Sequence, residues 1–450
     1  MPRLREVGRW WKPPQVTVAA FTAVVTLGTL TLMLPDASAG GEETGVVTAL
    51  FTAVSAVCVT GLIVVDTAAH WSTAGQWVIL GLIQIGGVGV MTLASVLIIA
   101  VRHRIRLKLQ LSVGVESKAV TLSEVRRVIF GIIWFSLLFE TVTAAALTAR
   151  FLVGYGYAPG RALYHGVFHA VSAFNNAGFA LYSDSLMGFA TDPWIILPIA
   201  LAVIAGGLGF PVWIEIRRRR EPGPRRRWSL HARITLSVTA VLLVVGTVLV
   251  TALEWTNPRT LGPMDTGDRL LSGFFHSAMP RTAGFNSLDV GGFQTQTLFV
   301  TDMLMFVGGG SAGTAGGIKV TTFALLAFVI YANVRGEPTV HVGDRRLSAG
   351  VEQQALVVAL LAVGLVFVST LVLMTITPFT LDQILFEVIS AFATVGLSTG
   401  ITADIPVAGQ LILCLLMFIG RIGPITLATA LALRRRARRI EYPEERPTVG

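Results

Sequence analysis

Charge is scarce in this chain: only 14% of its 450 residues are Asp, Glu, Lys or Arg, against 53% hydrophobic. The apolar residues gather into long runs rather than amphipathic stripes, which excludes an ordinary soluble domain. Cysteine is nearly absent. Cys58 and Cys414 both lie inside apolar runs and far apart in sequence, so neither a disulfide framework nor a metal knuckle is indicated. No Ser/His/Asp set and no paired-carboxylate arrangement stands out, which removes the common routes to hydrolytic chemistry.

What is abundant is membrane-length apolar sequence. A bilayer core needs about 20 apolar residues per helix, and Val16–Leu34, Val128–Leu147, Trp194–Pro211, Ile234–Leu253, Leu356–Met374 and Leu411–Leu431 meet or approach that length. The net charge of +9 comes from clusters where apolar runs end: Arg102–Lys108, Arg217–Arg227 and Arg434–Arg439, with Arg3, Arg5, Arg9 and Lys12 at the start. Basic residues flanking spans mark the cytoplasmic face, so both termini are expected there, with anionic lipid as a secondary partner. Without interleaved exposed aromatics, the same arginines do not form a nucleic-acid patch. Ala37-Ser38-Ala39 after the first run imitates a secretory cleavage site, but Val16–Leu34 exceeds the usual signal core of about 7–15 residues and is expected to span.

Self-similarity organises the rest. Four short apolar segments each end in a glycine ten positions after a phenylalanine: Phe51 to Gly61, Phe168 to Gly178, Phe274 to Gly284 and Phe386 to Gly396. Three carry a matching serine, at Ser55, Ser172 and Ser390, where the third has Ala278. Successive glycines lie 117, 106 and 112 positions apart. That leaves room for a span, a short descending helix and a returning span. Each segment is too short to cross and too apolar for a solvent loop, the range of a re-entrant element. Irregular backbone at that depth must face protein or a water-filled cavity, so four such loops imply one shared cavity. The expected fold is all-α and integral to the membrane: four membrane helix, pore loop, membrane helix repeats with pseudo-fourfold symmetry around one ion pore. The repeats are assigned to residues 1–110, 111–228, 229–340 and 341–450, the third holding an intramembrane loop and the fourth a cytosolic tail.

Backbone carbonyls can replace the hydration shell of a cation without trapping it, and glycine permits the backbone angles that point them inward. Pore helices aiming their carboxyl ends at the cavity would favour cations. The loops Val59-Thr60-Gly61-Leu62, Asn175-Asn176-Ala177-Gly178-Phe179, Arg281-Thr282-Ala283-Gly284-Phe285-Asn286 and Thr394-Val395-Gly396-Leu397-Ser398 resemble the four filter motifs of the Trk/Ktr/HKT potassium transporter superfamily. The resemblance covers essentially the whole chain and is to KtrB-type members, since the chain opens on the first repeat. It implies a selectivity filter built from Val59, Thr60, Gly61, Asn176, Ala177, Gly178, Thr282, Ala283, Gly284, Thr394, Val395 and Gly396. One glycine per loop, where tetrameric potassium channels have two, implies fewer well-formed ion sites. Glycine rather than serine in the first loop is the version the family associates with potassium.

The second helix of the third repeat is interrupted by Gly308, Gly309, Gly310, Ser311, Ala312, Gly313, Thr314, Ala315, Gly316 and Gly317, where each interior glycine costs a helix about 1 kcal/mol relative to alanine. Gly308-x-Gly310-x-x-Gly313 matches a dinucleotide fingerprint, but apolar spans on both sides exclude the strand–turn–helix context that motif needs. The resemblance implies a gate loop beneath the filter, and a tight helix crossing on small residues is the alternative. Arg421, inside an apolar run, would cost about 2.5–3.5 kcal/mol unless compensated. The family places such an arginine in the pore against the gate, and a salt bridge with the mid-span Glu140 is the structural alternative. Lys319 resembles Arg421 or approaches inner water, and Asp302 reads as a helix-terminus charge. His165 and His169 have the i, i+4 spacing of a metal pair but lack a third ligand, so pore-helix packing is the expected role.

The resemblance implies potassium uptake across a bacterial inner membrane, no cofactor bound by this chain, potassium as substrate with sodium coupling left open, a homodimer, and a cytosolic KtrA/TrkA-type nucleotide-binding regulatory ring as partner. A sodium-permeable transporter of the same fold, a membrane-embedded enzyme and an assembly subunit with an occluded pore are the competing readings.

Overall fold

In a computed structural model of the chain, residues 13–111, 122–220, 227–337, 339–342, 345–347 and 349–423 are described. The basic clusters at 3–12 and 434–439 lie outside them, as does the part of Leu411–Leu431 beyond Gly423. The fold is nearly all helical, with a two-residue antiparallel hairpin, β1 (His341–Val342) and β2 (Arg345–Arg346), as its one sheet among the described residues.

Each repeat runs long helix, short helix, irregular loop, second helix. The first comprises α1 (Pro13–Leu32), α2 (Val46–Val57), the one-turn α3 (Thr67–His70) and α4 (Thr73–Leu111). The second comprises α5 (Leu122–Tyr155), α6 (Pro159–Phe174), α7 (Pro193–Leu208) and α8 (Phe210–Arg220). The third has α9 (Leu230–Glu254), α10 (Thr266–Ala278), α11 (Thr295–Phe306) and α12 (Val320–Val334). The fourth has α13 (Ala349–Ile376), α14 (Leu381–Ala393) and α15 (Val407–Ile422). Among the described residues, five helices are long and apolar enough to cross a membrane, six if α7 and α8 count as one bent span. At 1.5 Å per residue, the 25 residues of α9 reach about 37 Å, enough for a hydrocarbon core with some tilt.

The first helix of each repeat is apolar on the outside: Trp134, Leu138 and Val142 on α5, Val244 and Val248 on α9, and Phe367 and Leu371 on α13 are all exposed. Such a continuous apolar exterior suits lipid rather than water. The short helices α2, α6, α10 and α14 form the interior. Their starts are marked locally: Pro159 opens α6 at a position where a missing N–H costs nothing, and Thr380 with Gln383 makes a capping box on α14. Phe51, Phe168, Phe275 and Phe386 fill the space behind them with no exposed surface. In the third repeat the buried ring is thus Phe275, nine residues before its glycine, while the Phe274 expected from the spacing is half-buried.

The run Trp194–Pro211 is not one span. α7 ends at Gly209, whose φ of +87° only glycine adopts easily, and α8 departs at 95°. The break puts Arg217, Arg218, Arg219 and Arg220 in the last turn of a helix lying across the direction of α7.

Candidate functional site: four pore loops and the loop beneath them

The short helices end in loops that meet one another. A Cβ added at Gly61 would fall 2.4 Å from the Ala177 carbonyl oxygen, one at Gly178 2.7 Å from that of Ala283, one at Gly284 2.4 Å from that of Val395, and one at Gly396 2.0 Å from that of Thr60. The sequence of contacts is first repeat to second, second to third, third to fourth, and fourth back to first. It closes a ring. The four glycines surround one axis at one level, and in each contact the oxygen belongs to the residue just before the neighbouring glycine.

Each loop also carries a second left-handed residue that is not glycine. Val59, Asn176, Thr282 and Thr394, two positions before the glycines, have φ of 56°, 61°, 69° and 52°. Asparagine visits this region readily, but β-branched Val and Thr do not, and such strain persists only where surrounding structure over-determines it. Left-handed residues separated by one ordinary residue turn successive carbonyls to the same side, whereas a regular strand would alternate them. In three loops the amide of the residue before the glycine is held at the fifth carbonyl back: Thr60 N to Ser55 O at 2.8 Å, Ala177 N to Ser172 O at 2.7 Å and Val395 N to Ser390 O at 2.8 Å. The serine hydroxyls complete the turn by accepting from Gly61 N at 3.1 Å and Gly396 N at 3.0 Å, or by donating to Phe179 O at 2.8 Å. The third loop is tighter, with Ala283 N on Met279 O at 3.0 Å, which is why it can have Ala278 where the others have serine.

Above the ring a cavity of about 340 Å³ is lined by the four glycines together with Asp66, Asp184, Asn286, Ser398 and Thr402. Below it lies residues 308–317, between α11 and α12. The loop is not helical, and it packs against the break in the second repeat: Gly310 N donates to Gly207 O at 2.8 Å, Thr314 N to Gly206 O at 3.2 Å, and Phe210 N to Ala312 O at 3.3 Å. Its glycines permit this approach, since a Cβ at Gly310 would stand 2.4 Å from Leu208 O and one at Gly316 would stand 2.0 Å from the Thr394 hydroxyl. The Asn176 amide, oriented to satisfy its surroundings, donates to Thr314 Oγ1 at 2.7 Å, Phe174 O at 3.2 Å and Val203 O at 3.3 Å. One hydroxyl therefore connects the second pore loop to the loop beneath it.

Arg421 is buried and donates to Thr314 O and, at 3.1 Å, to Gly86 O, while its Nε has no partner. It makes no ion pair with Glu140. That carboxylate accepts instead from Ser136 Oγ at 2.7 Å, Asn175 Nδ2 at 3.2 Å and Gln84 Nε2 at 3.3 Å. Lys319 turns back to Ala315 O. Asp302 is not a terminus charge: it lies inside α11, buried, with Oδ1 unpartnered. His169 uses both ring nitrogens on backbone, at His165 O (2.7 Å) and Leu181 N (3.3 Å), which leaves none for a metal. Cys58 and Cys414 are free and buried.

Sequence reasoning missed a second set of glycines. A Cβ at Gly86 would fall 2.0 Å from Val57 O, one at Gly206 1.9 Å from Phe174 O, and one at Gly420 1.7 Å from Phe392 O. Three second helices thus press a bare backbone against the last turn of their own pore helix. The signal was the motif Gly-x-x-Gly at Gly86–Gly89, Gly206–Gly209 and Gly420–Gly423, which falls 24 to 28 positions after Gly61, Gly178 and Gly396. A separate cavity of about 720 Å³, away from the ring, is lined by Arg219, Arg227, Arg233, Arg345, Trp228, Leu230 and Val342.

A polytopic helical protein whose four re-entrant loops close a carbonyl ring over an intramembrane loop has the architecture of a cation-conducting membrane protein. The TrkH family, described as cation transport protein, matches residues 10–439, and the chain belongs to it. It is 39% identical over 450 residues to the Ktr system potassium uptake protein B of Bacillus subtilis, with 99% of each chain covered. It is 36% identical to the potassium/sodium uptake protein NtpJ of Enterococcus hirae, again over 99% of both. The fold matches the crystal structure of the potassium transporter TrkH from Vibrio parahaemolyticus with a TM-score of 0.74 at 18% identity, covering 96% of this chain and 87% of that one.

Proposed function

We propose that this chain takes up potassium across a bacterial inner membrane through the carbonyl ring of its four loops. The observation that carries the reading is the closed contact cycle of Gly61, Gly178, Gly284 and Gly396 around one axis. Potassium loses its water at the mouth, and the carbonyls of the residues from Val59 to Gly61, Asn176 to Gly178, Thr282 to Gly284 and Thr394 to Gly396 replace it. The carboxyl ends of α2, α6, α10 and α14, each worth roughly half a negative charge, face the same cavity and attract cations. Residues 1–110, 111–228, 229–340 and 341–450 each supply one quadrant. The names of the relatives support potassium as the ion.

The loop from Gly308 to Gly317 acts as the gate, held shut by Arg421 on Thr314 O and by Asn176 on the Thr314 hydroxyl. Release of these few bonds lets it swing aside. A cytosolic nucleotide-binding ring drives that release, and the arginine-lined cavity belongs to the face where an acidic partner or anionic lipid would sit. The functional unit is a homodimer with the termini of each chain in the cytoplasm.

The test is growth of potassium-uptake-deficient bacteria on limiting potassium. The wild-type chain rescues growth, and Gly284→Ser, which puts a side chain where even a Cβ would meet Val395 O at 2.4 Å, loses affinity or selectivity. Unchanged selectivity in that variant would remove the filter role. A second reading, a sodium-permeable transporter of the same fold, is favoured by the relative named for both ions. Competition of sodium against rubidium uptake separates the two.

A further inference from the structure

Behind each pore loop, the residue after the buried phenylalanine is polar: Thr52 after Phe51, His169 after Phe168, His276 after Phe275 and Glu387 after Phe386, all four buried. Only the fourth is a carboxylate. Glu387 has 0% exposure, and its oxygens accept from the Ser398 hydroxyl, from Thr399 N at 3.2 Å and from Thr402 Oγ1 at 3.1 Å. Ser398 also meets the Thr402 hydroxyl at 2.9 Å and accepts from Gly400 N at 2.9 Å. The segment immediately beyond Gly396 is therefore wrapped around one acid.

The second repeat uses the same position differently. His169 Nε2 accepts from Leu181 N at 3.3 Å, three residues past Gly178, just as Thr399 is three past Gly396. A ring that donates at Nδ1 and accepts at Nε2 carries no charge. In the third repeat His276 turns away, to Thr301 on α11 at 3.2 Å. In the second and fourth repeats, then, a pore-helix side chain fixes the ascending segment. At this position a carboxylate stands in the fourth quadrant alone.

None of the donors on Glu387 is basic. A buried carboxylate held by neutral donors is offset only in part, and Ser398 and Thr402, which cover it, line the 340 Å³ cavity above the ring. A cation in that cavity would supply counter-charge across these two hydroxyls. The geometry points to Glu387 as the positioning residue that shapes the fourth loop's outer segment and biases the outermost ion site, so that it sets affinity for potassium and discrimination against sodium. This inference rests on the ring being a cation filter.

The test compares Glu387→Gln and Thr402→Val with wild type and Gly284→Ser, each as full-length chain in potassium-uptake-deficient cells, by initial rubidium uptake with and without competing sodium. Glutamine keeps an acceptor for Ser398 and Thr399, and its amide can donate to the Thr402 hydroxyl, so the shape survives and the charge is lost. The expected result is a rise of about tenfold in KM for rubidium at nearly unchanged maximal rate, with stronger inhibition by sodium. Thr402→Val, which removes one donor at the mouth and leaves the acid in place and less offset, is expected to lower KM about threefold. A Glu387→Gln chain present at wild-type level with unchanged KM and sodium inhibition overturns the proposal, as does one that loses only maximal rate. If Glu387→Gln fails to reach the membrane, unchanged KM and sodium inhibition in Thr402→Val overturns it instead. A Gly284→Ser chain indistinguishable from wild type would sink the filter reading rather than this one.

Discussion

Alanine at Gly396 is the sharpest test of the ring. Its Cβ would lie 2.0 Å from Thr60 O, whereas ordinary contact begins near 3.4 Å, so the carbonyl of the first repeat must retreat by more than 1 Å. The backbone there has φ +94°, beyond the left-handed well that an L-residue tolerates, which adds about 1–3 kcal/mol of strain. Binding geometry has to be held within roughly 0.5 Å, so the Thr60 carbonyl leaves the ion and one quadrant of the ring is lost. If the lost coordinating dipole is worth about 1.4 kcal/mol, affinity falls about tenfold. The assay is rubidium uptake into proteoliposomes, with Gly267→Ala as the control because a Cβ there meets nothing within 4 Å. A folded Gly396→Ala protein with the control's KM and the control's rubidium-to-sodium ratio would refute the ring.

Shortening the stretch from Gly308 to Gly317 is expected to raise uptake without the regulatory partner; flat transport by a normally folded protein would exclude a plug. Thr314→Val removes the hydroxyl that joins Asn176 to the loop, one bond of about 1 kcal/mol, and is expected to raise partner-independent flux severalfold while filter selectivity stays constant. Replacing Arg219 and Arg233 by alanine in the 720 Å³ cavity is expected to weaken activation by anionic lipid or by the cytosolic ring, with KM for rubidium unaltered. Equal activation of that variant and wild type would place the docking surface elsewhere.

Much of this protein was legible before any contact was known. The spans follow from apolar length, and the short segments from Phe51, Phe168 and Phe386 follow from being too apolar for a loop and too short to cross. The Gly308–Gly317 break is local chemistry, because no helix accommodates so many glycines. Even the tighter third loop left a trace, in Ala278 standing where the other repeats have serine.

Other features depended on surroundings that no short window of sequence displays. Gly209 reads as an ordinary residue of an apolar run, and the 95° turn becomes intelligible only with the loop at Ala312 and Gly313 packed against it. Glu140 looked like a mate for Arg421 because both are charges within apolar runs, yet Gln84 and Asn175 surround the one and Thr314 and Gly86 the other. Asp302 looked terminal because it was read as the start of the broken helix, whereas α11 begins at Thr295 and encloses it.

By itself the sequence determined the number of repeats, their apolar exteriors and the four glycines, since each is encoded in lengths and residue types along a short stretch. The tertiary structure alone decided that the glycines abut in a closed cycle, that Val59, Thr282 and Thr394 are forced left-handed, and that Glu387 stands behind the fourth loop. The reason is physical: backbone strain and buried charge are tolerated only where packing from other repeats over-determines them, and no window of sequence contains that packing.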